Sequence, residues 1–221
     1  MTILYLHGMG GGTASRIPGY LAEFLPDDRI VIRTYDFNPA TAHHQIASWF
    51  EEVRPDIVIG ESLGATHALA LDGVPAILVS PALNAGIYFS CLSPLTLIPG
   101  VPWLIAKIFK PHGDSGRQIM RFNFKNTWKW MYYRRLARKT SRRSAQPHFA
   151  FIGDVDGYRK VGIVSLCTWK RWFGEGTYEI VHGNHIMKHG HGYDDSERIA
   201  FVKEKLIKKI NESRFGPLIH E

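Results

Sequence analysis

Apolar positions along the chain gather into short runs rich in β-branched residues. They fall at 3–6, 30–33, 57–59, 76–79, 149–152 and 178–181. Most of these runs are continuous rather than alternating, the pattern of strands covered on both faces in a parallel sheet. Helical patterns lie between them. Asn38 and Pro39 make an N-cap and first-turn pair, and Ile46, Trp49, Phe50 and Val53 then share one face. Further helices are expected over 63–72, ending before Gly73, and over 159–173, ending before Gly174. The last opens at Asp194-Asp195-Ser196-Glu197 and carries Ile199, Val202, Leu206 and Ile210 inward, with Lys203, Lys205, Lys208 and Lys209 mostly outward. Strands alternating with helices imply an α/β fold, with a mostly parallel sheet and right-handed crossovers that put helices on both faces.

The rhythm breaks once. Residues 81–147 contain no convincing strand, and a βα connection usually runs only about 2–6 residues, so this interval must hold structure of its own. Its first half, 92–109, is apolar but punctuated by Pro94, Pro99, Gly100 and Pro102, which argues against a membrane-spanning helix of about 20 residues. Its second half reads as a helix over 126–140, with Trp128, Trp130, Tyr132 and Tyr133 leading into a basic cluster.

With 221 residues, 45% hydrophobic and 21% charged, the chain has apolar material for a sizeable core, and disorder, collagen and coiled coil are excluded as its main structure. Cys91 and Cys167 are too few for a disulfide framework, and the first residues lack the basic stretch and cleavage site of a signal peptide, so a cytoplasmic protein is expected. The net charge of +7 changes the picture more when it is located. Residues 115–153 hold no Asp or Glu but ten cations: Arg117, Arg121, Lys125, Lys129, Arg134, Arg135, Arg138, Lys139, Arg142 and Arg143. The remainder, with 17 Lys and Arg against 20 Asp and Glu, carries −3, so a mildly acidic body bears one basic segment.

The strongest chemical signal is Ile57-Val58-Ile59-Gly60-Glu61-Ser62-Leu63-Gly64-Ala65, a G-x-S-x-G sequence after an apolar strand and before a helical pattern. A serine at a sharp strand-to-helix turn is strained, and its neighbours two positions away must be glycine to avoid clashes. The turn also brings the hydroxyl to a helix N-terminus, where a developing anion is favoured. These features make Ser62 a candidate nucleophile. The competing account is a Gly-rich turn with a helix-capping serine.

The chain resembles the α/β-hydrolase superfamily over nearly its whole length, and in particular small single-domain esterases. Leu4-Tyr5-Leu6-His7-Gly8-Met9-Gly10-Gly11 is similar to the strand and H-G-x-x-G that open the oxyanion loop in that family. The resemblance implies an oxyanion hole from the backbone N–H groups of Met9 and Leu63, supported by His7, Gly8, Gly60 and Gly64. It also implies a structural rather than catalytic role for His7. The family order is Ser, acid, His. Phe149-Ala150-Phe151-Ile152-Gly153-Asp154-Val155-Asp156-Gly157 matches the strand that delivers the acid, with Asp156 at the family position and Asp154 as its competitor; an Asp-Gly turn would use Asp156-Gly157 equally well. Tyr178-Glu179-Ile180-Val181-His182-Gly183-Asn184-His185 matches the strand and loop of the general base, with the Gly-x-His ending favouring His185 over His182. His189 and His191 follow, and four histidines in ten residues also permit a metal site, although no carboxylate or cysteine stands at ligand spacing. No cofactor is implied. Larger members carry two strands ahead of the H-G motif, so a sheet of about six strands is expected, in one domain over residues 1–221 with a lid inserted at about 84–146.

For that insertion the apolar half is a candidate lining for an acyl pocket. Its basic half suits an anionic substrate or membrane surface, nucleic acid contacted through arginines interleaved with Trp and Tyr, or a solvated cap helix with buried aromatics. Arg134, Arg135, Arg138, Arg142 and Arg143 stand at spacings that can share a helix face. Taken together, the motifs imply an acyl-ester or thioester hydrolase working through an acyl-enzyme. A peptidase or amidase would use the same residues, and a binding protein could keep the scaffold without the chemistry.

Overall fold

A computed structural model describes residues 1–108, 116–188 and 194–215. All six expected strands form: β1 (Thr2–Leu6), β2 (Arg29–Ile32), β3 (Ile57–Glu61), β4 (Ala76–Val79), β5 (His148–Gly153) and β6 (Tyr178–Val181). They make one sheet in the order β2-β1-β3-β4-β5-β6, and each neighbouring pair runs parallel. The continuous apolar runs are explained by what lies on each face. Leu4, Leu6, Val58, Leu78, Ala150 and Ile152 enter one core, whereas Ile3, Tyr5, Ile57, Ile59, Ile77, Val79 and Phe151 enter the other. The pleat therefore alternates, but both sides are dry.

The first core is covered by α2 (Pro39–Val53), α3 (Gly64–Ala68), α4 (Ala85–Leu92), α6 (Phe124–Ser141) and α8 (Leu166–Phe173). The second is covered by α1 (Arg16–Phe24), α9 (Ser196–Phe201) and α10 (Ile207–Phe215), through Ile17, Leu21, Phe201 and Ile210. Asn38 caps α2 by accepting from the Ala40 N–H at 3.0 Å, with Pro39 following it. A π-helical turn at Val202–Leu206 joins α9 to α10 and keeps the buried stripe of Val202 and Leu206 in line.

Three helices differ from expectation. The helix expected over 63–72 stops at Ala68. The one expected over 159–173 is two helices, α7 (Gly157–Lys160) and α8, separated at Gly162, whose φ of 79° no continuing helix adopts. α1, for which no helix is expected, holds Pro18 and Gly19, both poor helix formers; Pro18 sits in the first turn, where its missing N–H costs no hydrogen bond.

Between β4 and β5 the chain forms α4, a 3-10 turn (Ser93–Leu97), α5 (Val101–Ile108) and α6. No described helix is long and apolar enough to cross a membrane. Asn84 knots this region to the body: its side-chain amide donates to Gly162 O at 2.9 Å and Thr168 Oγ1 at 3.1 Å, and its carbonyl accepts from Arg134 at 2.9 Å. Arg134 also donates to Leu83 O and lies over the Trp172 ring. It is a structural anchor, and burial lowers its pKa. The basic side chains of α6 thus do not share one face: Arg135, Arg138 and Lys139 are exposed while Arg134 turns inward.

Candidate active site

β3 delivers Ser62 to the C-terminal edge of the sheet, where open α/β sheets commonly bind ligands. Ser62 has φ of 51°, a left-handed conformation that a non-glycine residue adopts only when its surroundings hold it. They do so tightly. Its N–H donates to Val79 O at 2.9 Å, and its carbonyl accepts from the Ala82 N–H at 3.0 Å. A Cβ on Gly64 would lie 2.3 Å from Leu6 O, and one on Gly60 would lie 2.9 Å from Ala65 Cα. The two glycines of the motif are therefore required by close backbone approach.

Loops after β5 and β6 bring two more side chains to the serine. His185 Nε2 lies 2.7 Å from Ser62 Oγ, and His185 Nδ1 lies 2.8 Å from Asp156 Oδ2. Asp156 is fully buried, and its other oxygen accepts from the Tyr158 N–H at 2.8 Å as the N-cap of α7. The Asp-Gly turn and the contact to His185 are thus the same residue used twice. The Tyr158 ring meets the imidazole edge-on at 4.5 Å. Asp154 goes elsewhere: it accepts from the Gly183 N–H at 2.9 Å and pairs with exposed His182 at 2.8 Å. The Gly183 N–H and then His182 hold its carboxyl down at about 2. His189 and His191 lie outside the described residues. Among those described, no group of three or more His, Cys, Asp or Glu is arranged to hold a metal ion.

His7 is buried, with Nδ1 2.7 Å from Gly8 O and Nε2 accepting from the Tyr35 N–H at 3.4 Å. It stacks on Tyr35, whose hydroxyl donates to His7 O. Burial lowers His7 to about 4, so it stays neutral and fixes the loop of Gly8–Gly12. Gln118 secures the same loop from the far side of the insertion. It accepts from the Gly10 N–H at 3.1 Å and donates to Tyr35 O and Asp36 O, both at 3.2 Å. No motif marks Gln118; a buried amide in an irregular segment has no periodicity to reveal it. Among the described hydrogen bonds, none uses the backbone N–H of Met9 or of Leu63.

Ser62, His185 and Gly8 line a cavity of about 270 Å³ whose walls are mostly apolar, from Met9, Leu63, Tyr88, Phe89, Leu92 and Ile163. Of the apolar run 92–109, only Leu92 reaches this cavity among the described residues. Leu95, Leu97, Ile98, Trp103, Leu104 and Ile108 are exposed instead, and Phe109 lies outside the described residues. Cys91 and Cys167 are free and exposed.

No family model matches the chain, and no curated protein does either. Solved structures do. A protein from Butyrivibrio proteoclasticus solved with ferulic acid bound is 13% identical, with a TM-score of 0.62 over 95% of this chain and 89% of its own. A lipase solved in its open form is 14% identical, with a TM-score of 0.61 over 96% and 90%. The monoacylglycerol lipase of Paleococcus ferrophilus is 15% identical, with a TM-score of 0.53 over 83% and 84%. Likeness at this identity defines architecture: the chain has the α/β-hydrolase fold, built on a six-stranded parallel sheet.

Proposed function

We propose that the protein is a serine hydrolase that cleaves a carboxylic ester or thioester through an acyl-enzyme. The observation that carries this reading is the unbroken run of contacts from Ser62 Oγ to His185 Nε2 at 2.7 Å and from His185 Nδ1 to Asp156 Oδ2 at 2.8 Å. In this reading Ser62 attacks the acyl carbon while His185 takes its proton. Asp156, dry and hydrogen-bonded, keeps the imidazole in the tautomer that accepts at Nε2 and stabilises the imidazolium. The uncommitted N–H groups of Met9 and Leu63 stabilise the oxyanion. His185 then protonates the leaving group, and water attacks the acyl-enzyme by the same route in reverse.

The apolar cavity supports an apolar acyl chain, and α4 supports the proposal that residues 84–146 act as its cap, since Tyr88, Phe89 and Leu92 wall that cavity. The structures of two lipases carry the same architecture and favour an ester over a peptide bond. The test is turnover of a graded series of p-nitrophenyl esters and acyl thioesters. Ester or thioester turnover is expected in the parent and its loss in Ser62→Ala. Undiminished turnover in Ser62→Ala would overturn the assignment, and turnover of neither class by the parent would leave a binding protein on this scaffold.

A further inference from the structure

A second recess opens beside the Ser62 cavity and differs from it in character. It measures about 370 Å³ and is walled by Arg16, Arg117, Lys188 and Arg198 together with the backbone of Gly11–Gly12 and Ser15. A connecting cavity of about 220 Å³ shares Gly8, Met9, Glu61 and Ile186 with the Ser62 cavity, and Arg16, Arg117 and Arg198 with the recess. The two form one cleft, apolar at one end and cationic at the other, with the scissile bond expected where they meet.

Four cations and no carboxylate are among the described residues that line the recess. One carboxylate, Asp195, serves three of the cations: Lys188 at 2.8 Å, Arg16 at 2.5 Å and Arg198 at 3.2 Å. Lys188 and Arg198 are nearly buried, with side chains 6% and 9% exposed, so their charges are poorly screened by water. Arg117 has no ion pair and no side-chain hydrogen bond among the described residues. Glu61, a carboxylate on the connecting cavity, accepts from the Tyr5 hydroxyl at 2.7 Å. Asp194 adds negative charge near Lys188, which leaves Arg117 as the lining cation with no ion pair among the described residues. Guanidinium groups bind carboxylate or phosphate in a planar, two-point manner, and half-buried Arg117 offers one on this wall. α1 also begins on this wall and has no acidic residue in its first turn. These four residues come from four separate stretches of sequence, and only Arg117 belongs to the basic segment.

We propose that this recess is an anion subsite of the Ser62 cleft, so that the ester cleaved is amphiphilic. It carries an apolar group toward Phe89 and Leu92 and a carboxylate or phosphate group toward Arg117. The proposal rests on the serine-hydrolase reading for its placement beside the scissile bond, but the recess itself can be tested without turnover.

The experiment compares kcat/KM at low ionic strength for propyl butyrate, for butyrate esters of 3-hydroxypropanoate and of 3-hydroxypropyl phosphate, and for monopropyl succinate. These place no anion, a carboxylate or a phosphate on the alcohol, or a carboxylate on the acyl group. At least one anionic ester is expected to exceed the neutral ester by about tenfold or more. Salt is expected to shrink that ratio, Arg117→Ala to bring it near one, and Arg117→Lys to retain most of it. A neutral ester that matches or exceeds every anionic one, or a preference that Arg117→Ala leaves intact, overturns the subsite. If no ester is turned over, the hydrolase reading fails separately. The recess is then judged by inorganic phosphate binding to the full chain: binding weakened about tenfold or more by Arg117→Ala supports it, and absent or unaltered binding overturns it.

Discussion

Two histidine–aspartate pairs stand side by side at the C-terminal edge of β5 and β6, built from nearly the same stretch of chain. Asp154 meets His182, and Asp156 meets His185, each through Nδ1 at 2.8 Å. Everything that separates them is environment. Asp156 is fully buried, and the far nitrogen of its histidine meets Ser62. In the outer pair, Asp154 is 37% and His182 70% exposed. Both aspartates lie just beyond Gly153, the last residue of β5, where strand alternation no longer sets direction and the turn that follows decides which is enclosed. Here α7, capped by Asp156 itself, closes over the inner pair. The same residue types at the same distance can therefore be a dry pair that reaches a serine in one place and a solvated pair in the next.

Substituting the histidines tests this contrast most severely. His185→Ala is expected to reduce kcat by at least about 10³-fold, since members of such a set act as a unit. His182→Ala should leave it within about threefold, as an exposed pair contributes little. Esterase assays on both variants measure this, and comparable losses in the two would remove the distinction. The acids follow. Asp156→Asn should cost about 10³-fold or more through the wrong imidazole tautomer, with KM little changed. Asp154→Asn should act only on the local loop. A large kcat loss in Asp154→Asn alone would exchange the roles of the two acids.

How much of this was legible beforehand follows the range of the interactions involved. The four central strands show in the sequence because each is dry on both sides, while β2 and β6 at the edges are only partly covered. Ser62 shows because a strained turn demands glycine at two fixed offsets. Asp154 and Asp156 both appear as candidates, but no local pattern states which will be enclosed by α7. Tertiary placement accounts for the rest. Arg134 reads as one of a run of cations, yet it anchors Leu83 and Asn84. Gln118 and the recess around Arg117 unite residues about 100 positions apart, as in the Gly10–Gln118 hydrogen bond, and no spacing rule reaches so far. The apolar run 92–109 reads as a pocket lining, yet most of its described side chains face outward.

Burial also separates histidines by their titration. Burial holds His67 at about 3 and His7 at about 4, against an ordinary value of 6.5. Above pH 6.5 both are neutral whether the chain is folded or not. As pH falls below 6.5 the unfolded chain takes up protons that the folded one refuses, so stability is lost progressively toward pH 4 and below. Urea midpoints measured from pH 7.5 to 5 should fall. Among the described residues neither ring nitrogen of His67 has a hydrogen-bond partner, so His67→Leu should flatten part of that slope. A midpoint independent of pH would contradict the buried neutral state. The smallest expected effect repeats the contrast within α6. Arg134→Ala should lower stability by about 1–3 kcal/mol, because it removes the side-chain donor to Leu83 O and the shorter of two hydrogen bonds to Asn84 Oδ1. Arg135→Ala should change it by less than about 0.5 kcal/mol. Equal losses in denaturant unfolding would mean that the burial difference between the two arginines carries no energy.

The central claim is that Ser62 is an activated nucleophile, and the most direct measurement is the intact mass of the folded chain after exposure to a fluorophosphonate. One adduct is expected, located by peptide mapping to Ser62, absent in Ser62→Ala, greatly slowed in Asp156→Asn and unaffected in Asp154→Asn. No adduct on the folded protein, or an adduct that persists in Ser62→Ala, would contradict it.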